Sequence, residues 1–211
     1  MQITKFSHSC VRVEGAGVLV LDPGVWSEQS ALDGADAVLI THQHADHVNV
    51  DAVTEAAARQ PGLRVYAHAD VLATLPAIGS AGTAIDPGQE LEVAGYRVRT
   101  SGGEHAVIHP DIPVIPNVAV LVSDDSGNFF HPGDSFTVPE DTEVDTLFVP
   151  LNAPWMKVSE AIDFVRAIHP RRAYALHDGL LNDTGAGLYG SLLERLGGTT
   201  YKRLAPGTTI D

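Results

Sequence analysis

The sequence predicts an α/β domain in which one β-sheet packs on another and helices cover the outer faces. Three observations lead there. Short apolar or alternating runs recur through both halves of the chain, and each half also carries helical periodicity. The 211 residues are 44% hydrophobic and 19% charged, enough to bury a core and too apolar for disorder. No repeat, low-complexity tract or charge block divides the chain, and its 20 glycines and 13 prolines are scattered as turn signals. Residues 1–211 are therefore expected to form a single domain.

The elements follow in order. Cys10–Val13 and Gly17–Leu21 read as a hairpin joined through Glu14-Gly15-Ala16. Ala37–Ile40 is a continuous apolar run, the pattern of a strand buried on both faces. After a histidine-rich stretch, Asp51–Arg59 puts Val53, Ala56 and Ala57 on one helical face, and Pro61-Gly62 ends it. Arg64–Ala67 reads as a strand and Asp70–Leu75 as a short helix. Glu90–Val93 and Tyr96–Thr100 form a second hairpin about Ala94-Gly95.

In the second half, Val118–Val122 and Asn128–Phe130 read as strands around the turn residues Asp124-Asp125-Ser126-Gly127, and Thr146–Val149 as a short buried strand. Ser159 is expected to cap a helix with Glu160 in its first turn and Ala161, Ile162, Val165 and Ile168 on one face, stopped by Pro170. Arg172–Leu176 is a strand. Leu188, Leu192 and Leu196 recur every four residues up to Gly197-Gly198, marking a last helix.

Charge and composition narrow the function classes. Thirteen basic residues against 27 acidic give a net charge of −14, the opposite of a nucleic-acid footprint or an anionic-membrane binder. The opening MQITKFSHSC has no apolar leader core, and no apolar run approaches the roughly 18 residues needed to span a bilayer. The single cysteine, Cys10, rules out an intrachain disulfide and fits a reducing compartment, so a cytoplasmic location is expected.

The chemistry is carried by the ten histidines. Thr41-His42-Gln43-His44-Ala45-Asp46-His47 places three imidazoles and a carboxylate directly after the buried strand Ala37–Ile40. Imidazole and carboxylate are the natural ligands of zinc and related cations. One short loop cannot aim all four at one ion without strain, so the pattern suits two ions side by side. Further donors share one topological address, just past a strand end: His105 after Gly102-Gly103, Asp134 in His131-Pro132-Gly133-Asp134-Ser135, and His177 in Ala175-Leu176-His177-Asp178-Gly179.

The His-x-His-x-Asp-His motif at His42, His44, Asp46 and His47, followed by Gly103-Glu104-His105, Gly133-Asp134-Ser135 and His177, resembles the metallo-β-lactamase superfamily across nearly the whole chain. The resemblance implies a four-layer αβ/βα sandwich with a dinuclear centre between the sheets. It implies that His42, His44 and His105 hold one metal, that Asp46, His47 and His177 hold the other, and that Asp134 bridges them. Phe6-Ser7-His8-Ser9-Cys10, Leu21-Asp22-Pro23 and His131-Pro132-Gly133-Asp134 look like the compact ascorbate-6-phosphate lactonase-like group. The chain departs from the antibiotic-hydrolysing branch, because its only cysteine precedes every motif.

The expected cofactors are two divalent ions, zinc first, with manganese or iron compatible with the all-nitrogen-and-oxygen set. Two such ions about 3.5–4 Å apart share a hydroxide at neutral pH. Asp46 is the expected catalytic residue, holding that hydroxide and accepting a proton. The expected function is hydrolysis of a small ester, lactone or phosphoester. The rivals are a nucleic-acid phosphodiesterase, which the acidic charge disfavours; an iron-dependent oxidoreductase or persulfide dioxygenase, which metal identity separates; and a non-catalytic metal module. The expected partner is a small-molecule substrate, with no nucleic acid, no membrane and room for a homo-oligomer.

Other residues read as follows. His109 is a rival to His105, which the flanking glycines favour. His8 either lies close to the site or has a structural role; His131 either stands beside Asp134 or supports its turn. Asp178 is a candidate to orient the His177 ring. Trp155 and Met156 either line a pocket or cap the core. His68 reads as structural or surface, and His169 and Arg171-Arg172 as surface. The apolar stretch 106–117 is a substrate wall, a packed surface loop or an oligomer contact.

Overall fold

The computed structural model describes every residue from Met1 to Asp211. In chain order the first half carries β1 (Gln2–Lys5), β2 (Val11–Glu14), β3 (Val18–Leu21), β4 (Ala37–Ile40), α1 (Val50–Arg59), β5 (Arg64–Ala67), α2 (Ala69–Ala73) and β6 (Gly82–Ala84). The second half carries β7 (Glu90–Val93), β8 (Tyr96–Glu104), β9 (Pro116–Asp124), β10 (Gly127–His131), β11 (Thr146–Pro150), α3 (Val158–Ile168), β12 (Arg172–Leu176), α4 (Asp183–Leu196), β13 (Thr200–Lys202) and β14 (Thr208–Ile210).

These strands form two seven-stranded sheets, ordered β14-β1-β2-β3-β4-β5-β6 and β13-β12-β11-β10-β9-β8-β7. The two have the same logic. Each begins with antiparallel hairpins and continues into parallel strands, β3 to β6 in one and β10 to β13 in the other. Parallel strands must be covered on both faces. In β4, Ala37 and Leu39 enter the cluster between the sheets with Val120, Phe129 and Phe148, whereas Val38 and Ile40 pack outward with Val53 and Ala56 of α1. On the other side, Leu147 and Val149 of β11 pack outward on Ala161, Phe164 and Val165 of α3 and Leu193 of α4. Three apolar layers separate helix, sheet, sheet and helix, which is the αβ/βα sandwich.

Four strands have no counterpart in the sequence reading: β1, β6, β13 and β14. All are short and lie at or next to sheet edges, and β1 and β14 pair with each other across the length of the sequence. Strand β8 runs beyond Thr100 to Glu104, because Gly102 and Gly103 keep pairing with Val118 and Asn117 of β9. The cap of α3 is also corrected. The helix starts at Val158, Ser159 lies inside its first turn, and the Glu160 carboxylate accepts the Lys157 backbone N–H at 2.6 Å. In α4 the leucine spacing does not mark the buried face. Leu188 is 57% exposed, and the helix buries Ala186 and Leu193 instead. None of the helices is long and apolar enough to cross a membrane.

Candidate metal centre

The donors meet where strands of both sheets end on the same rim. Asp22 follows β3, His42 to His47 follow β4, His105 follows β8, Asp134 follows β10 and His177 follows β12, while His8 lies between β1 and β2. They fall into two groups: His42, His44, His105 and Asp134, and His8, Asp46, His47 and His177. Within each group the donor atoms lie within 4.8 Å of one another. Asp134 sits between the groups, with Oδ1 3.0 Å from His47 Nε2 and Oδ2 3.3 Å from His105 Nε2 and 3.2 Å from His177 Nε2. All seven residues singled out from the sequence are therefore in one place.

Their hydrogen bonds fix which nitrogen faces the centre. The carbonyls of Ala106 and Asn152 can only accept, so His105 and His177 each donate through Nδ1, at 2.6 and 2.7 Å. The Thr41 hydroxyl spends its proton on Asp22 Oδ2 at 2.7 Å and so accepts from His42 Nδ1 at 3.0 Å. Asp22 Oδ2 also takes His47 Nδ1 at 2.6 Å. Four imidazoles thus turn Nε2 inward, as metal-ligating histidines do. His105 Nε2, His177 Nε2 and Asp134 Oδ1 are buried and have no partner in hydrogen-bond geometry. Buried polar atoms without partners are rare, and three converging on one point mark a place for a cation.

His8 is turned the other way. Its Nδ1 accepts the Gly179 N–H at 3.2 Å, so Nε2 carries the proton and donates to Asp46 Oδ2 at 3.1 Å. His8 is therefore a hydrogen-bond donor to Asp46 and has no inward lone pair. Burial lowers its affinity for a second proton, to a pKa of about 4. The expected outcome for His8→Ala is a loss of roughly 10–100-fold in activity with the metal content unchanged, read by elemental analysis beside initial rates. Loss of bound metal would instead make His8 a ligand.

Electrostatics follow from the packing. Burial holds His42 well below the usual imidazole range. Burial opposes a charge on His47 and His177 too, but neighbouring carboxylates outweigh it. Asp134 and Asp22 raise His47 well above its ordinary value, and Asp134 and Asp46 bring His177 to about 9. Burial likewise opposes charge on Asp46 and Asp134, and the facing imidazoles reverse it, so both carboxyls sit far below the carboxylate range. His8, Asp22 and His177 all have left-handed backbones, with φ of 58°, 46° and 53°. Such conformations cost roughly 1–3 kcal/mol each outside glycine and gather at functional sites.

Other histidines lie elsewhere. His109 is exposed beside Asp111, His68 caps α2, and His169 ends α3 at the surface. His131 supports the turn before Asp134, reaching the Ser9 carbonyl at 2.9 Å and accepting the Gly133 N–H. Asp178 does not orient His177. It accepts Arg203 Nε at 2.7 Å and faces the buried Lys5 ammonium at 3.7 Å, and the Asn152 carbonyl takes its expected role. Trp155 does more than line a wall, since its indole N–H donates to Asp134 Oδ2 at 2.9 Å. The sequence reading missed the role of Asp22, although it too follows a strand end.

A cleft of about 340 Å³ opens on the centre, lined by Trp26, Ile108, Pro154, Trp155 and Leu180 around His44, Asp46, His105, Asp134 and His177. Ile108 brings the segment after β8 over the site as a wall.

Residues 2–177 match the family described as Beta-lactamase superfamily domain. The chain is 40% identical over 215 residues to Protein Rv0786c of Mycobacterium tuberculosis, covering 100% of this chain and 94% of that one. It is 29% identical over 154 residues to a UPF0173 metal-dependent hydrolase of Methylobacterium nodulans, covering 64% of this chain and 63% of its relative. Among solved structures, Igni18, a metallo hydrolase from Ignicoccus hospitalis, superposes with a TM-score of 0.77 at 20% identity, covering 99% of this chain and 97% of the other.

Proposed function

We propose that this chain, which belongs to the beta-lactamase superfamily, is a metal-dependent hydrolase acting on a small ester, lactone or phosphoester. The observation that carries the reading is the orientation of the imidazoles, with Nδ1 of His42, His47, His105 and His177 tied to protein oxygens and Nε2 turned inward. His42, His44 and His105 would hold one divalent cation, Asp46, His47 and His177 a second, and Asp134 both. The donor set is all nitrogen and oxygen, which suits zinc and also accommodates manganese or iron. The similarity to proteins described as metal-dependent hydrolases supports the same reading.

A pair of divalent cations supplies, when bound, Lewis acidity and a water acidified to near neutral pH. The chain's own groups supply the rest. Asp46 is the more open of the two carboxylates and faces the cleft, so it accepts a hydrogen bond from the attacking water and fixes its direction. His8 holds Asp46 for that task. Trp155 and the Asn117 side chain, which accepts the Asp134 backbone N–H at 3.0 Å, hold Asp134. Ile108 and Trp155 limit solvent around the reacting atoms.

The test joins metal content to turnover. Protein purified without chelator is expected to carry about two equivalents of divalent metal and to hydrolyse at least one member of an ester, lactone and phosphoester panel. Less than one equivalent after reconstitution, or a fully loaded protein inert on the whole panel, would sink the proposal. Loading also has a proton signature. His177 holds a second proton in the metal-free protein at pH 7, because its carboxylate neighbours raise its pKa to about 9. Adding metal at pH 7 is expected to release at least the His177 proton, about one per chain, measured with an indicator dye. The release should shrink as pH rises through about 9, as His177 gives up its proton without metal.

A further inference from the structure

The cleft over the centre has a polar floor and apolar sides. Trp26 comes from the segment after β3, Ile108 from that after β8, Trp155 from that after β11 and Leu180 from that after β12. Single exposed apolar residues are ordinary, but these four reach one cleft from four separate connections. Trp26 is 47% exposed and stacks edge-on against His8 at 4.8 Å, and Leu180 is 56% exposed. Trp155 stands 6.1 Å from His105 and 6.4 Å from His177. The segment carrying Ile108 extends the apolar rim with exposed Val107, Ile112 and Val114. No lysine or arginine lines the cleft, while two carboxylates do.

Those features select a substrate. A phosphoester keeps negative charge on oxygen at neutral pH, and sites that recognise it bring arginine or lysine. The cations of the proposed centre would attract a phosphoryl and a carbonyl oxygen alike, but beyond them the cleft offers a phosphoester's remaining charged oxygens no lysine or arginine. An uncharged ester or lactone makes no such demand, and an apolar chain on it removes tryptophan, isoleucine and leucine surface from water. We infer that the cleft selects uncharged acyl substrates, esters or lactones, bearing an apolar chain that packs on Trp26, Ile108, Trp155 and Leu180. This rests on the hydrolase reading and narrows its substrate class.

The chain has only two tryptophans, and both line the cleft, so intrinsic fluorescence reports on it directly. The experiment titrates zinc-loaded protein with straight-chain amides from butanamide to octanamide, and with alkyl phosphates of the same lengths. The amides are expected to shift the emission saturably and to tighten by about two- to fourfold per methylene. Trp26→Ala with Leu180→Ala should flatten that dependence while elemental analysis finds the metal unchanged. Phosphates binding as tightly as amides, affinity indifferent to chain length, or no fluorescence response at all would each overturn the inference. Nitrophenyl esters of matching length separate it from the hydrolase reading. Chain-dependent amide binding without turnover of any ester or phosphoester would refute the hydrolase and leave the cleft's preference standing. Turnover favouring phosphoesters would do the reverse.

Discussion

With Asp134 replaced by alanine, the purified protein is expected to hold at most one metal equivalent and to turn over substrate about 10³-fold more slowly than wild type, a loss of roughly 4 kcal/mol in barrier terms. The size follows from position. Asp134 is buried, both its oxygens face imidazole nitrogens of the centre, and it is the one residue within 3.3 Å of His47, His105 and His177 together. Under the proposed centre its loss would remove the carboxylate shared by both cations and leave the imidazoles of the two groups facing one another without an intervening negative charge. Elemental analysis and initial rates on the same preparation decide it. Two equivalents retained at wild-type rate would mean that Asp134 is a structural counter-charge and that the centre is organised otherwise. Asp134→Asn adds a graded control, because it keeps the shape and an acceptor oxygen while removing the charge.

The second large effect concerns a residue with no chemistry. A Cβ at Gly24 would stand 1.9 Å from the Asp46 carbonyl oxygen, 2.1 Å from its carbon and 2.7 Å from the His47 nitrogen. All three are backbone atoms, so no side chain can swing aside. The two segments are laced together by Val25 N–H to Ala45 O at 2.8 Å and Asn49 N–H to Pro23 O at 2.9 Å. Gly24→Ala must push the His42–His47 loop away from the segment after β3. We expect about 3 kcal/mol of destabilisation, the upper range for overpacking, and a fall in Tm of roughly 6–12 °C for a chain of this size, with metal lost as well. Gly187→Ala is the control, since its Cβ meets nothing within 4 Å and lies in α4, where alanine is favoured by about 0.5–1 kcal/mol. Melting of Gly24→Ala within about 2 °C of wild type would show that the loop yields freely.

These two positions illustrate what was legible in the sequence. Asp134 was, because chemistry confines the useful donor types to few residues and the chain repeats them at one address, past strand ends. The interior strands were legible for a similar reason. Ala37–Ile40 and Arg172–Leu176 are apolar enough to fix both their ends. The edge strands were not, since β6 and β13 are three residues each, too short for a periodic pattern, and become strands only by pairing with β5 and β12. Gly24 reads as part of a turn, and only the approach of the Asp46 carbonyl gives it meaning. Asp22 and the Asn152 carbonyl escape for the same reason, because a residue that orients a ring is defined by where the ring lies, 25 residues away in both cases. Asp178 shows the converse error: adjacency to His177 suggested a contact that the left-handed backbone at that histidine directs elsewhere.

The pairing of the first strand with the last has a consequence for how the molecule is made. Ile3 faces Ile210 across β1 and β14, and Thr4 faces Thr209 with their hydroxyls 2.9 Å apart. During synthesis this sheet stays open along β1 until β14, 205 residues further on at Thr4 and Thr209, has been made. Closing so long a loop contributes to a high contact order and a slow final step. Until then β1 presents unpaired backbone to its surroundings, with buried Ile3 and Lys5 on that strand. Until β14 is in place the sheet is most exposed to misassembly along β1, and what protects that edge is a segment made 205 residues later.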